Sequence, residues 1–179
     1  MAEQDLRLAV EDCSILQADG WRGTIADFDA SLSRQLGGAL PAAVGEWIDI
    51  GGCSVIRIAP RRFWLVGEPQ TGLSIDPELG CLVPLRDGRV CLRMGGSRLF
   101  EVLNACAAID WLSPDAAPGR AVQTGFHRVP VLLLRQDEQE CDLIAPRSFA
   151  KSLSDWLVDV AVCVGRPPDM ATTGERALR

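Results

Sequence analysis

A strand, a sharp corner and an amphipathic helix follow one another over residues 141–157, and this unit most constrains the fold. Pro146 marks the corner, because proline cannot donate a hydrogen bond within a sheet but is tolerated at a helix start. Ser148 is the predicted N-cap, and the helix is predicted to end near Val164, before Gly165. The apolar residues at helical spacing are Phe149, Leu153, Trp156, Leu157 and Val160.

Two further apolar segments adjoin this unit. Residues 129–134 are apolar on both faces, which indicates a central strand with Pro130 confined to its beginning. Residues 157–164 carry more apolar side chains than one buried helix face requires. We therefore expect part of that helix end to be exposed and to form an interface with another protein.

Composition excludes several classes of protein. The chain has 179 residues, 47% of them hydrophobic and 23% charged, which is typical of a globular protein with one well-buried core. A net charge of −6 argues against nucleic-acid binding. The chain has neither an apolar run long enough to span a membrane nor a secretory leader at its N-terminus, so a cytoplasmic location is expected.

Seven cysteines are spread along the chain at wide spacings, and none forms a Cys-x-x-Cys pair. Most of them lie in apolar runs, which indicates buried, reduced thiols rather than disulfides. A zinc site is disfavoured because the single histidine, His127, has no thiols clustered beside it in sequence.

Predicted strands and helices recur in the same order in the two halves of the chain. After an acidic lead-in, strands are expected at 14–16 and 21–26 around an Asp19-Gly20 turn. A helix capped by Asp27 or Asp29 is expected next, with an apolar face of Phe28, Leu32, Leu36 and Leu40. The later predictions are strands at 46–50, 53–58, 63–66, 81–85, 89–94, 120–126, 129–135 and 140–145, a hairpin turn at 86–88, a weak helix or irregular turn at 71–79, and a helix after 95–97.

This repeated order predicts an internal duplication. Each half is expected to read strand-strand-helix-strand-strand-strand-helix, over residues 1–79 and 80–165, within a single α+β domain of mostly antiparallel sheets. Residues 58–63 and 144–149 are identical at five of six positions, but one copy leads into a predicted strand and the other into a predicted helix, so the repeated order is the stronger evidence. A flexible tail is expected over 166–179.

No group of residues combines the parts of a catalytic or metal site. Gly95-Gly96-Ser97 is either an anion-binding loop or a hairpin-to-helix turn, and His127 is either a base or a half-exposed strand end. Arg61-Arg62 and Arg147 either dock on a carboxylate of another subunit or are solvated. We therefore predict no catalytic, cofactor-binding or metal residue, and the residues alone indicate a non-catalytic domain.

Within this frame the C-terminal half resembles the gamma subunit of heterotetrameric sarcosine oxidase. Residues 117–124 match its "PGRCAQT" turn, 129–133 its "V-x-V-L-L" strand, and 142–157 its "RSFA…L…WL" corner. Residues 58–66 are similar to its "LGPDEWLV" segment, although Arg61-Arg62 replaces the acidic pair. The residues carried over as family-motif and candidate interface positions are Arg120, Gln123, Thr124, Arg147, Ser148, Phe149 and Trp156.

The resemblance implies a fold related to the folate-binding domain of aminomethyltransferases and of the tRNA-modification GTPase. It implies an accessory subunit of an oxidoreductase complex that demethylates sarcosine to glycine, in sarcosine catabolism and one-carbon metabolism. FAD, FMN, NAD and tetrahydrofolate would belong to the alpha and beta partners, and zinc to the delta partner, with no cofactor in this chain.

Two alternatives to an accessory subunit stay open. One is a stand-alone folate-binding or aminomethyltransferase-like protein, although the "KGCYxGQE" motif of a folate-fold relative in iron-sulphur repair is absent from this chain. The other is a homodimer that pairs through the apolar helix end.

Overall fold

Eleven strands form two sheets in the computed structural model, which describes residues 6–68, 72–85, 88–165 and 169–172. The strands are β1 (Arg7–Glu11), β2 (Ile15–Gly20), β3 (Trp47–Ile50), β4 (Cys53–Ala59), β5 (Arg62–Val66), β6 (Gly80–Pro84), β7 (Arg89–Gly95), β8 (Ala121–Phe126), β9 (Val129–Arg135), β10 (Glu140–Pro146) and β11 (Asp169–Thr172). The helices are α1 (Ile25–Leu36), α2 (Leu99–Cys106) and α3 (Ala150–Cys163), with 3-10 turns at Pro114–Ala116 and Arg147–Phe149. The α+β class with mostly antiparallel sheets is confirmed, since β1 with β11 is the parallel pair among the described strands.

The chain divides into two compact units, which we call the terminal unit (residues 1–12 and 87–179) and the central unit (13–86). The sheet of the terminal unit has the order β11-β1-β7-β10-β9-β8, and that of the central unit has the order β6-β2-β5-β4-β3. Apart from β11, both sheets therefore have the same topology, as an internal duplication requires. The first strand of each predicted half lies in the sheet formed mainly by the other half.

The predicted hairpin between residues 81–85 and 89–94 is therefore wrong. β6 pairs with β2, whereas β7 pairs with β1 and β10, so the two strands belong to different sheets. β1 lies in the stretch that was expected to be an acidic lead-in. The compact units divide after residues 12 and 86. The predicted boundary between the two repeats, near residue 80, therefore stays a prediction.

The central unit packs α1 on its sheet through Phe28, Leu32 and Leu36, the predicted apolar positions. Asp19-Gly20 is not a turn, because both residues belong to β2, and residues 21–26 lead into α1 rather than forming a strand. A Cβ on Gly20 would lie 2.7 Å from the Phe28 ring, so the close approach of α1 requires glycine here.

Helix caps and termini differ from the predictions in three further places. The N-cap of α1 is Thr24, and Asp29 instead pairs with Arg57 at 2.7 Å inside the unit. The N-cap of α3 is Phe149, without a capping side chain, because Ser148 lies in the preceding 3-10 turn. β11 lies within the stretch predicted as a tail, of which residues 166–168 and 173–179 lie outside the described residues.

The hairpin between β8 and β9 has a strained turn. His127 and Arg128 have φ angles of 45° and 71°, and Phe126 pairs with Val129 across them. Such a two-residue turn favours Asn-Gly, because other L-residues are disfavoured in the left-handed region.

Replacing Arg128 with glycine is therefore expected to raise the free energy of unfolding by about 0.5–1 kcal/mol, measured by urea denaturation. Arg128→Ala is the matched control, since it removes the same side chain but keeps the strained backbone. Equal stabilisation by both variants would contradict the assignment of strain to the positive φ angle.

Candidate docking surfaces

The corner between β10 and α3 carries three of the predicted interface residues. The Nη2 of Arg147 donates to Oδ1 of Asp12 at 2.7 Å, so this guanidinium is paired within its own chain. Ser148 is exposed, and 42% of Phe149 is exposed, although it was predicted to join the buried stripe of the helix. The corner therefore presents an aromatic ring and a hydroxyl to solvent.

Three more of the predicted residues lie in or just before strand β8. It lies at an edge of its sheet, where Gln123 pairs with Leu132 and Thr124 with Val131. Arg120, just before the strand, lies 3.6 Å from a carboxylate oxygen of Asp115. Gln123 is exposed, whereas Thr124 and Arg120 are partly buried.

Trp156 on α3 is half-buried and contacts the end of β8. Its ring lies 5.6 Å from that of Phe126 and 5.2 Å from that of His127, measured between centroids. His127 thus packs on the indole of Trp156 from the turn between β8 and β9. The seven predicted residues thus lie at separate places on the terminal unit rather than in one pocket.

The end of α3 exposes apolar side chains, as predicted. Val162 is 56% exposed and Val164 is 37% exposed, whereas Leu153, Leu157 and Ala161 of the same helix are buried. We refer to residues 162–164 as the α3 end. Exposed apolar residues at one place are typical of a surface that contacts another protein.

A groove of about 440 Å³ separates α2 from the loop that follows it. Its apolar walls include Phe100 and Trp111, and the carboxylates of Glu101 and Asp110 lie at its rim. Leu112, which is 95% exposed, stands at its edge. We call this site the Leu112 groove; it was not identified from the sequence.

Arg135 supports the loop of this groove from inside. Only 8% of this residue is exposed, and its Nη1 donates to the main-chain oxygens of Trp111 and Ala116 at 3.0 and 2.7 Å. Its guanidinium also lies over the Phe100 ring, 4.2 Å from the centroid. In the sequence Arg135 stands out only as an arginine at the end of an apolar strand. Its acceptors at Trp111 and Ala116 could not be predicted, because they are backbone oxygens distant in sequence.

The central unit has a cleft at the corner between β4 and β5. Arg61 and Trp21 line it and are exposed, and Arg62 pairs with Asp19 at 2.5 Å. Of the predicted arginine pair, Arg62 is thus neutralised by Asp19, whereas Arg61 faces solvent.

Buried thiols are poor nucleophiles in this fold. Burial raises the pKa of Cys106 to about 11 and raises the pKa of Cys141 further. Burial, with a contribution from Asp49, also raises the pKa of Cys53. The described residues include no cluster of three metal-ligating side chains, and no helix among them could cross a membrane.

Comparison with known proteins identifies relatives of this chain. No protein-family model matches it. The sarcosine oxidase subunit gamma of Corynebacterium sp. (strain U-96) is 31% identical over 137 residues, which are 73% of this chain and 67% of the relative. The sarcosine oxidase subunit gamma of Arthrobacter sp. is 30% identical over 138 residues, 73% of this chain and 68% of the relative.

Solved structures agree with these relatives. A chain of the heterotetrameric sarcosine oxidase from Corynebacterium sp. U-96, in complex with pyrrole 2-carboxylate, matches with a TM-score of 0.77 at 25% identity, over 96% of this chain and 90% of that chain. The glycine cleavage system aminomethyltransferase T from Bartonella henselae matches in fold, with a TM-score of 0.62 at 14% identity, over 98% of this chain and 49% of that chain. The resemblance identified from sequence is confirmed, as is the fold relation to aminomethyltransferases.

Proposed function

Since the chain belongs to the sarcosine oxidase gamma subunit family, we propose that it is a non-catalytic subunit of a sarcosine oxidase-type complex. The match to the curated gamma subunits carries this proposal. The surface of the chain supports it, because its described residues include exposed apolar groups of the kind that contact other proteins.

In this proposal the complex oxidatively demethylates sarcosine or a related secondary amine, with transfer of the one-carbon unit to tetrahydrofolate. FAD, FMN, NAD and tetrahydrofolate would be bound by partner chains, which we expect to correspond to alpha, beta and delta subunits. The contribution of this chain would be to dock on those partners through its apolar surfaces.

The alternative of a stand-alone folate-binding protein is not favoured, because the curated relatives are named as gamma subunits. The aminomethyltransferase similarity concerns the fold, which alone does not establish function. Titrating the isolated chain with a reduced folate tests this point, and we expect no binding at micromolar concentrations.

Purification of the affinity-tagged chain from its native host tests the proposal. We expect a flavin-containing protein to be recovered with it. Val162→Asp should lower that recovery, because it places a charge in the apolar α3 end, where burial against a partner would desolvate it. Ser152→Asp is the matched control, since it adds the same charge at an exposed position near the start of α3.

Recovery of the wild-type chain without any flavoprotein would contradict the proposed function. Equal recovery with Val162→Asp and Ser152→Asp would instead show that the α3 end is not part of the interface. Absorbance of the bound flavin, relative to the amount of tagged chain, provides the measurement for both outcomes.

A further inference from the structure

Leu112 is almost completely exposed, but its backbone is firmly held. Its N–H donates to Oδ1 of Asp110 at 3.0 Å, and the N–H of Ser113 donates to the backbone oxygen of Asp110 at 3.1 Å. The hydroxyl of Ser113 in turn accepts from the N–H of Asp115, at the start of the following 3-10 turn. The loop is thus closed on both sides of Leu112.

The interior of the terminal unit fixes the same loop. Arg135 binds the backbone oxygens on either side of Leu112, at Trp111 and Ala116, and the Trp111 ring packs edge-on against Phe100 with centroids 5.1 Å apart. Burying a guanidinium is energetically costly unless its donors are satisfied, as they are here by backbone oxygens and by the carboxylate of Glu138 at 3.1 Å. The consequence of this arrangement is a backbone that is held in one position and carries an exposed leucine.

An exposed apolar side chain on a firmly held loop is well suited to binding another protein. A backbone that is already ordered loses little conformational entropy when its side chain enters a pocket. In interfaces, a few such residues contribute most of the binding free energy. In the free chain Leu112 is 95% exposed, so nearly its whole side chain is available for burial against a partner.

The charges of the groove indicate the chemistry of that partner. Its described lining includes two carboxylates, on Glu101 and Asp110, and no basic side chain. Arg98 pairs with Glu101, whereas Asp110 uses one oxygen for the Leu112 N–H and forms no ion pair among the described residues. A cationic group approaching the rim would therefore meet uncompensated negative charge.

We propose that the Leu112 groove receives a segment of a partner subunit that carries an arginine or lysine beside an apolar pocket. Leu112 fills that pocket, and the cation pairs with Asp110. This inference rests on the proposed function and goes beyond it, since it names the docking site and the chemistry of its occupant.

Competition for incorporation into the complex tests this inference. Two differently tagged copies of the full chain, one wild-type and one variant, are expressed together with the companion subunits. The complex is isolated through a flavin-bearing companion, and the ratio of the two tags gives the relative affinity. Two wild-type copies with exchanged tags calibrate the ratio.

Leu112→Ser is expected to be incorporated about tenfold less than wild type, because the buried apolar area of the anchor is lost. The variant should fold normally, since Leu112 contributes almost no buried surface to the free chain. Asp110→Asn should lower incorporation about twofold to fivefold and weaken its salt dependence, while its amide oxygen still accepts from the Leu112 N–H.

Val44→Ser is the matched control, because Val44 is an apolar residue, 43% exposed, that lies in the central unit. Equal incorporation of Leu112→Ser and wild type, or equal depletion of Val44→Ser, would overturn the docking site but leave the proposed function intact. Dimerisation of the isolated chain through Leu112 would also overturn it. If the wild-type chain enters no flavin-containing complex, the proposed function fails and this inference fails with it.

Discussion

Replacing Arg135 with methionine is expected to lower the free energy of unfolding by about 3–5 kcal/mol. Methionine retains much of the side-chain stem but leaves the main-chain oxygens of Trp111 and Ala116 without their donor, at 3.0 and 2.7 Å in the native chain. An unsatisfied buried acceptor costs about 1–3 kcal/mol. Loss of the guanidinium from the Phe100 ring adds to this cost.

Urea denaturation of the isolated chain measures this effect. Arg98→Met provides the matched control, because Arg98 is a partly exposed arginine that pairs with Glu101 three residues later. We expect that variant to lose less than about 0.5 kcal/mol. Similar losses in the two variants would show that Arg135 behaves as a surface residue.

Local periodicity explains why parts of the fold could be predicted from sequence. In α1 the spacing of Phe28, Leu32 and Leu36 depends only on the helical repeat, and all three are buried as expected. Strand β9 was recognised for the same reason, since an apolar run with Pro130 near its start has few other solutions.

Elements that depend on distant partners were missed. β1 is buried because it pairs with β7, although the alternation of Leu8 and Val10 with exposed or half-buried neighbours offered a period-two signal. Asp19-Gly20 resembles a turn, but the glycine is required by a ring eight residues later in α1. Turn chemistry and close packing select the same residue type, so sequence alone did not separate them.

Of the candidate docking sites, one was likewise predictable from the sequence and one was not. The apolar α3 end was predicted from composition, because Val162 and Val164 continue the apolar sequence beyond one helix face. The Leu112 groove was not predicted, since Arg135 reaches backbone oxygens that carry no sequence signature. Side-chain patterns identify surfaces made by one element more readily than those made by a loop and its support.

Alkaline pH is expected to destabilise the chain through its buried thiols. Burial raises the pKa of Cys106 from 9.0 to about 11, and the pKa values of Cys53 and Cys141 are raised in the same way. The folded chain therefore holds these protons at pH values where the unfolded chain releases them, so unfolding becomes more favourable as pH rises. This contribution to stability is complete below pH 9 and, for Cys106, is lost as the pH approaches 11.

The effect is unusually easy to assign in this chain, because it has no tyrosine and its only lysine is Lys151. Few other side chains titrate in this range. At pH 10 we expect Cys106 to lower the free energy of unfolding by roughly 1 kcal/mol, and by more at higher pH, with effects of the same sign from Cys53 and Cys141. Urea denaturation under reducing conditions, repeated between pH 8 and pH 10.5, measures the slope.

Cys106→Ala and Cys141→Ala should each reduce this slope, because each removes a group that unfolding would deprotonate. Cys163→Ser is the matched control, since it removes an exposed thiol from the surface. Comparing slopes rather than absolute stabilities separates titration from the cavity that each alanine leaves in the core. A slope that is the same in all three variants would show that groups other than the buried thiols control the alkaline transition.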